Sequence, residues 1–452
     1  MRFRIAAALL FLRPITLAGQ STDPATQELI QRLLDRIDKL EKRVAELERE
    51  KASAGGSTPS ATQQPAAAPI TPPAQQPAPV QVEPVPATHS HDQPPPVPTI
   101  AGPETAAPQY PFLKISGFGD VDFSATDLKA PAQHFQPQTL STGHTGFELG
   151  QTTLHLISAL SPKVSFFGEV TFTARSDAGT GTTPAPGFNV EVERLIIRYD
   201  FNDYFKLSFG RYHTPINYWN TAYHHGQWLQ TTISRPEMVQ FGGSFIPVHF
   251  IGALGQGEIP AGGLNLNYDV GIGNGRGQVI SRGGDAGDIN NNRAWLVNAY
   301  VMPDWAYGLQ VGGSVYHDEL NPVGLAPARE WIESAHVVWS KETPEVIAEF
   351  ANVTHQPANG GPVANSQAWY LQTAYRLPWF GKVFKPYYRL EQIHVPHSDH
   401  IFQNFVPTFT GSTGGVRYDF SSFAAFKLEY RYYWLRDAPN FYGAFSQIAF
   451  TF

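Results

Sequence analysis

Histidines and charged residues are the groups in this sequence whose types and spacing could act on another molecule. The 452 residues hold 15 His and no Cys, which rules out disulfides, thiolate metal sites and cysteine nucleophiles; a metal would need imidazole and carboxylate ligands. His394, His397, Asp399 and His400 offer such ligands within one short run, and His224 and His225 form a pair. Neutral imidazoles beside a carboxylate can bind zinc. A proline-containing loop with no helix does not converge the rings, so neither metal nor cofactor is expected. No GxSxG elbow, HExxH pair or phosphate-cradling glycine loop sits in the strand-to-helix setting its chemistry requires. No catalytic residue is assigned, and the chain is not expected to be an enzyme.

The charges say more. Asp120, Glu169, Arg194, Arg198, Arg389, Glu391 and Arg431 lie on stretches that alternate apolar with polar residues. Arg235 and Glu237 follow the His pair in a segment rich in aromatics. Fixed charges of both signs around a confined, low-dielectric path act strongly on passing ions and small polar solutes. An element that could hold them there is a strand with one dry face and one wet face.

Such strands recur from residue 111 to 452. In LKISGFGDVDFSA, Leu113, Ile115, Val121, Phe123 and Ala125 share one face, against Lys114, Ser116, Asp120, Asp122 and Ser124. Val164, Phe166, Val170 and Phe172 oppose Ser165, Glu169, Thr171 and Thr173; Leu195, Ile197 and Tyr199 oppose Arg194, Arg198 and Asp200. Near the end, Phe426, Leu428, Tyr430, Tyr432 and Trp434 oppose Lys427, Glu429, Arg431 and Tyr433. A soluble sandwich would also alternate. Here the apolar face carries Tyr, Trp and Phe at strand ends, as in the aromatic girdles of membrane barrels. An Arg facing lipid near the midplane would cost roughly 2–4 kcal/mol, so parity sends these charges to the lumen. Arg211 breaks the rule, because it shares parity with Leu207 and Phe209; a bulge or a place at the rim would resolve it.

The connections set the strand count. Seven are short: 161–163, 201–204, 259–263, 303–307, 341–344, 377–382 and 421–425. Those between them are mostly long, the rhythm of short periplasmic turns and longer external loops. Seven short turns joining eight hairpins predict a 16-stranded antiparallel transmembrane β-barrel over 111–452, wide enough for an aqueous channel. Division agrees, since 342/16 leaves about 21 residues per strand plus connection, room for strands of roughly 10.

The chain ends YGAFSQIAFTF, with Tyr442, Ala444, Ser446, Ile448, Phe450 and Phe452 on one face. This ending resembles the signal by which outer-membrane barrels are recognised for assembly. The connection from Thr214 to Pro247 is the longest following a strand; it joins the fifth strand to the sixth and combines Tyr218, Trp219, Tyr223 and Trp228 with Arg235 and Glu237. Folded inward it would narrow the lumen; laid outward it would cover the mouth. The segment GRYHTPINYWNTAYHHGQWLQTTISRP (210–236) resembles the porin O and P family, the phosphate-selective porin group. The resemblance implies a trimeric outer-membrane channel whose third external loop enters the lumen. It does not extend to phosphate, because Thr214 to Gly243 carries Arg235 and Glu237 without a further basic cluster.

Ahead of the barrel lie three segments of other kinds. Residues 1–18 have the basic start, apolar stretch and small-residue end of a signal peptide, with Thr16 at −3 and Ala18 at −1. In 27–51, Ile30, Leu33, Ile37, Leu40, Val44 and Leu47 form a heptad seam, and Arg36 and Arg43 meet Glu41 and Glu48 of a parallel neighbour. β-Branched a and Leu d positions lean towards a dimer, whereas the repeated Arg-apolar-x-x-apolar-Glu pattern leans towards a trimer; the trimer is preferred. Residues 53–110 hold 15 prolines in 58 residues and form an extended linker.

The function expected from these residues is a bacterial outer-membrane porin, with its N-terminal segment in the periplasm. It would pass small hydrophilic solutes or ions, with anion preference as the finer expectation. Its expected partners are outer-membrane lipid, polar solutes and two further copies of itself. A net charge of −7 argues against nucleic acid, which needs a basic face. The alternative is an envelope tether, whose coiled coil and linker contact the cell wall while the barrel only anchors.

Overall fold

Sixteen alternating segments become sixteen strands in the structure, a computed structural model that describes residues 110–127, 145–174, 188–223, 225–240, 245–403 and 405–452. The expected signal peptide, the coiled coil with Ile30, Leu33, Ile37, Leu40, Val44 and Leu47, the linker before Tyr110, and His224 lie outside these residues. The strands are β1 (Phe112–Thr126), β2 (Gly146–Ala159), β3 (Val164–Ala174), β4 (Phe188–Asn202), β5 (Phe205–His213), β6 (His249–Ile259), β7 (Leu266–Asn274) and β8 (Ala294–Val301). They continue as β9 (Leu309–Leu320), β10 (Ala328–Ser340), β11 (Glu345–Pro357), β12 (Ala364–Ala374), β13 (Phe384–His394), β14 (Phe409–Ser421), β15 (Ala424–Leu435) and β16 (Phe441–Thr451). Each pairs antiparallel with its sequence neighbours, and β1 pairs with β16 to close the barrel. Closure leaves no sheet edge unpaired, as a wall in lipid requires. All seven short turns fall between the expected strands, at one end of the barrel.

The outward face is apolar where the sequence places it. Phe188, Val190, Val192, Leu195, Ile197, Tyr199 and Phe201 keep β4 apolar over its whole length, and all are exposed on the outside. Aromatic residues crowd the short-turn end: Tyr204, Trp305, Tyr307, Trp379, Phe380 and Phe423 are exposed there. This is the girdle that holds a barrel at an interface.

The seam between the first and last strands depends on a glycine. Gly117 and Phe452 exchange backbone hydrogen bonds of 2.9 and 3.0 Å. A Cβ on Gly117 would lie 2.6 Å from the Phe452 ring and 2.8 Å from the Thr153 carbonyl oxygen. The terminal aromatic therefore lies across the space a side chain would take.

Inside, the barrel is less polar than alternation suggests. Leu254, Leu296, Tyr316, Ile332, Ile347, Ala351 and Tyr370 point inward from β6 and β8–β12 and are buried. They pack with Ile216, Trp219, Ile233, Met238 and Val239 of the 214–248 connection in one hydrophobic core. The long loop thus lies within the lumen, and part of the wall it rests on is apolar on its inner face. Near the long-loop end, β4 carries an extra residue opposite β3, with Arg194 pairing Glu169 and Val192 pairing Val170.

Candidate channel constriction

The luminal loop is held by charges on the surrounding wall, chiefly through its own backbone. A four-residue helix, α1 (Trp219–Ala222), begins where Glu349 on β11 accepts the N–H groups of Tyr218 (2.9 Å) and Trp219 (2.6 Å). Farther along, Glu429 on β15 accepts those of Ile233 (2.9 Å) and Ser234 (3.2 Å), and Glu391 on β13 accepts that of Glu237 (2.8 Å). Cations take the carbonyls. Arg389 donates to Ser234 O (2.9 Å) and Arg235 O (3.1 Å); Arg417 on β14 donates to Trp228 O (2.6 Å) and Gln230 O (3.0 Å). Lys427 on β15 donates to Thr232 O (3.0 Å) and to Gln227 O. A loop lacking a ladder of its own must find partners for every buried backbone group, and the wall charges supply them.

The wall charges expected from sequence form two groups among the described residues. On β13 and β15, Arg389 pairs with Glu391 (3.0 Å) and Arg431 with Glu429 (2.6 Å), with the Arg431 guanidinium 3.8 Å from the Phe445 ring centroid. These four are buried between loop and wall. Beyond β16, Glu169 on β3 accepts from Arg194 (2.6 Å) and lies 2.9 Å from His155. Arg198 pairs with Asp200 (2.7 Å), and Asp120 accepts the Gln151 N–H (3.2 Å). The wall residues expected from sequence thus all point inward, spread over β1, β3 and β4 and over β13 and β15, on either side of β16. His225, in the loop, lies 3.1 Å from Gln151 and 3.3 Å from Glu193. The loop therefore touches β2 and β4 as well as β13–β15.

Arg235 and Glu237 are buried within the loop. Burial pushes the Glu237 carboxyl up to about 8, helped by neighbouring Glu391 and opposed by Arg431 and Arg389. Burial also pulls Arg235 down to about 9, against the attraction of Glu193 and Glu237. Near neutrality the loop carries a cation at Arg235 and an uncharged acid at Glu237. Its half-buried edge is formed by Gln227, Trp228, Leu229 and Gln240.

Some residues of the site lie beyond the reach of parity. Glu193 turns inward because the extra residue in β4 resets the alternation. Arg211 keeps its outward register opposite Leu195, yet its guanidinium reaches Glu191 (3.0 Å), Glu193 (3.3 Å) and Asp285 (2.8 Å). The kink is at Gly210, where φ is +153° and a Cβ would lie 1.9 Å from the Leu195 carbonyl oxygen. The 394–400 run is structural in part: Asp399 is buried against His355 (2.9 Å) and Ser366 (2.6 Å), and His400 lies 3.1 Å from the Ala326 carbonyl oxygen.

No protein-family model matches the sequence, and no curated protein does. Among solved structures the barrel is similar to the anion-selective porin from Comamonas acidovorans. That match has 11% identity, covers 76% of this chain and 100% of that one, and has a TM-score of 0.54. The outer membrane channel DcaP of Acinetobacter baumannii matches at 10% identity over 76% of this chain and 97% of that one, with a TM-score of 0.49. OprB of Pseudomonas putida matches at 12% identity over 76% and 94%, with a TM-score of 0.48. The first likeness establishes the class by fold: a 16-stranded barrel of porin type.

Proposed function

We propose that the chain is an outer-membrane channel through which small hydrophilic solutes and ions diffuse passively, narrowed by the loop between β5 and β6. The observation that carries this reading is the loop inside a closed barrel, bonded to charges on β4, β11 and β13–β15. A barrel serving only as an anchor has no need of a narrowed lumen, so the envelope tether is not favoured. Porin-type architecture and the girdle of aromatics support the outer membrane as the location.

Arg235 is the loop's own cation, so the proposed path should prefer anions. Arg235→Glu is expected to move the reversal potential across a salt gradient towards cation selectivity while the barrel stays folded. An unchanged reversal potential would remove Arg235 from the field that ions feel.

Glu237 gives a pH dependence with a definite sign. Its pKa rises from 4.5 to about 8 on folding, so the folded loop binds a proton that the released loop gives up. The loop's docking is favoured in full below about 4.5 and loses that advantage as pH rises to about 8. Above that window a new negative charge faces Glu391. Cation selectivity should therefore increase between pH 7 and 9, and Glu237→Gln should flatten the change. A pH profile unaffected by that substitution would contradict the assignment.

Two features support several copies side by side. One is the heptad seam with its doubled trimer pattern. The other is on the outer face at the long-loop end of β10–β14, where polar side chains replace apolar ones. There Thr354 donates to Asn365 (2.7 Å), Trp369 to Gln392 (3.0 Å), and Tyr388 lies 2.8 Å from Ser412, with Glu333 exposed on the same face. Lipid would not reward such a surface, whereas a second copy would cover it. Sedimentation equilibrium of the full chain in detergent should give three barrels per particle, and a monomer would argue against this.

A further inference from the structure

We propose that Glu193, His213, His225 and His249 form a binding site for a divalent transition metal of the zinc class at the root of the luminal loop. His213 is the last residue of β5 and His249 the first of β6, and the two are register partners. The loop leaves and returns between them. Their ring centroids are 5.7 Å apart, and the His225 ring, carried back by the loop, is also 5.7 Å from His213. One ligand atom from each of Glu193, His213 and His249 lies within 4.8 Å of the others. Glu193 Oε2 is 2.7 Å from His249 Nε2 and 3.3 Å from His225 Nε2. A second carboxylate, Glu169, lies 3.4 Å from the His213 Nε2.

Three imidazoles and a carboxylate are the donor set of zinc and its borderline neighbours rather than of magnesium or calcium. Gln151 orients the His225 ring as an outer acceptor does around metals. With the Gln151 amide oxygen toward His225 Nδ1, at 3.1 Å, that nitrogen carries the hydrogen and Nε2 turns its lone pair to Glu193. Arg211 lies 3.1 Å from His249 Nδ1. Metal entry at His249 Nε2 moves the ring hydrogen to Nδ1, which cannot share the Arg211 donor, so Arg211 Nη2 gives up that contact and keeps Glu191, 3.0 Å away. Around the cluster Glu169, Glu191, Glu193 and Asp285 face Arg194 and Arg211, with Arg235 attracted to Glu193 and exposed Arg282 3.8 Å from Glu191 at the rim, so the carboxylates are already offset and the imidazoles supply most of the affinity. A metal here would clip both ends and the middle of the loop to β4. The site does not depend on the channel reading; only its effect on conductance would.

The test is titration of the untagged full chain in detergent, stripped with a chelator, using Co²⁺ followed by visible absorption and Zn²⁺ followed by calorimetry. One metal per barrel with the intense bands of four-coordinate cobalt is expected. H213Q/H249Q should weaken binding at least about 100-fold, whereas H394Q/H397Q/H400Q should leave it unchanged. Heat-modifiable gel migration checks the fold, and the single H225Q variant, which alters only the loop, serves if the double variant does not fold. No stoichiometric binding by the parent chain would overturn the proposal, as would binding that survives H213Q/H249Q, survives H225Q in its place, or is lost with the 394–400 histidines.

Discussion

Glu429→Ala is expected to release the luminal loop and raise single-channel conductance. The carboxylate accepts the N–H groups of Ile233 and Ser234 and the Tyr387 hydroxyl at 3.0 Å, and it pairs with Arg431 at 2.6 Å. Removing it leaves a buried guanidinium without its carboxylate, a loss of about 3–5 kcal/mol. Each buried N–H stripped of its acceptor costs about 1–3 kcal/mol more. The strands remain joined by their ladders, so the loop is the part that can give way. Conductance should rise and become noisier while heat-modifiable migration persists. Glu429→Gln, which keeps an acceptor for the loop but not the charge for Arg431, should fall between. Parent-like conductance in Glu429→Ala would show that these bonds do not hold the constriction.

The second large effect is on closure. Gly117→Val puts a branched side chain where even a Cβ would lie 2.6 Å from the Phe452 ring and 2.8 Å from the Thr153 oxygen. A ring can turn, but a ladder carbonyl of β2 cannot move without breaking pairing. Overpacking of this kind costs about 1–3 kcal/mol, and more where backbone is involved. The refolded fraction, read by heat-modifiable migration, should drop sharply. Gly117→Ala should cost less, and Phe452→Ala in that background should recover part of the loss in refolding from denaturant, because it removes one of the two clashes. Full folding of Gly117→Val would mean that the seam does not need the glycine.

Much of the barrel was legible because lipid and water impose a period of two on a strand that separates them. Leu113 through Ala125, Leu195 through Phe201 and Phe426 through Trp434 each face outward as alternation requires. Six of the seven turns carry Pro, Gly or Asp punctuation, and the seventh, 421–425, was legible from its paired serines between two alternating runs. Alternation could not show that Ile332 and Ile347 are the seat of the loop, because an inward apolar residue makes sense only once the loop is known to lie inside. Glu193 was hidden by a bulge that shifts parity, whereas Arg211 was legible as an outward exception whose carboxylate partners only the structure supplies. His213 and His249 are distant in sequence and meet only because the strands flanking the loop are neighbours. The single clue was that each sits at the loop's edge.

Planar-bilayer recording of the purified full-length chain, with neutral polymers of graded size added to the bath, tests passive conduction through a loop-narrowed barrel most directly. Discrete ohmic steps that scale with salt, with exclusion of all but the smallest polymers, are expected from the parent, and admission of larger polymers from Glu429→Ala. Membrane insertion without any conductance would contradict the channel and move the interpretation to the envelope tether.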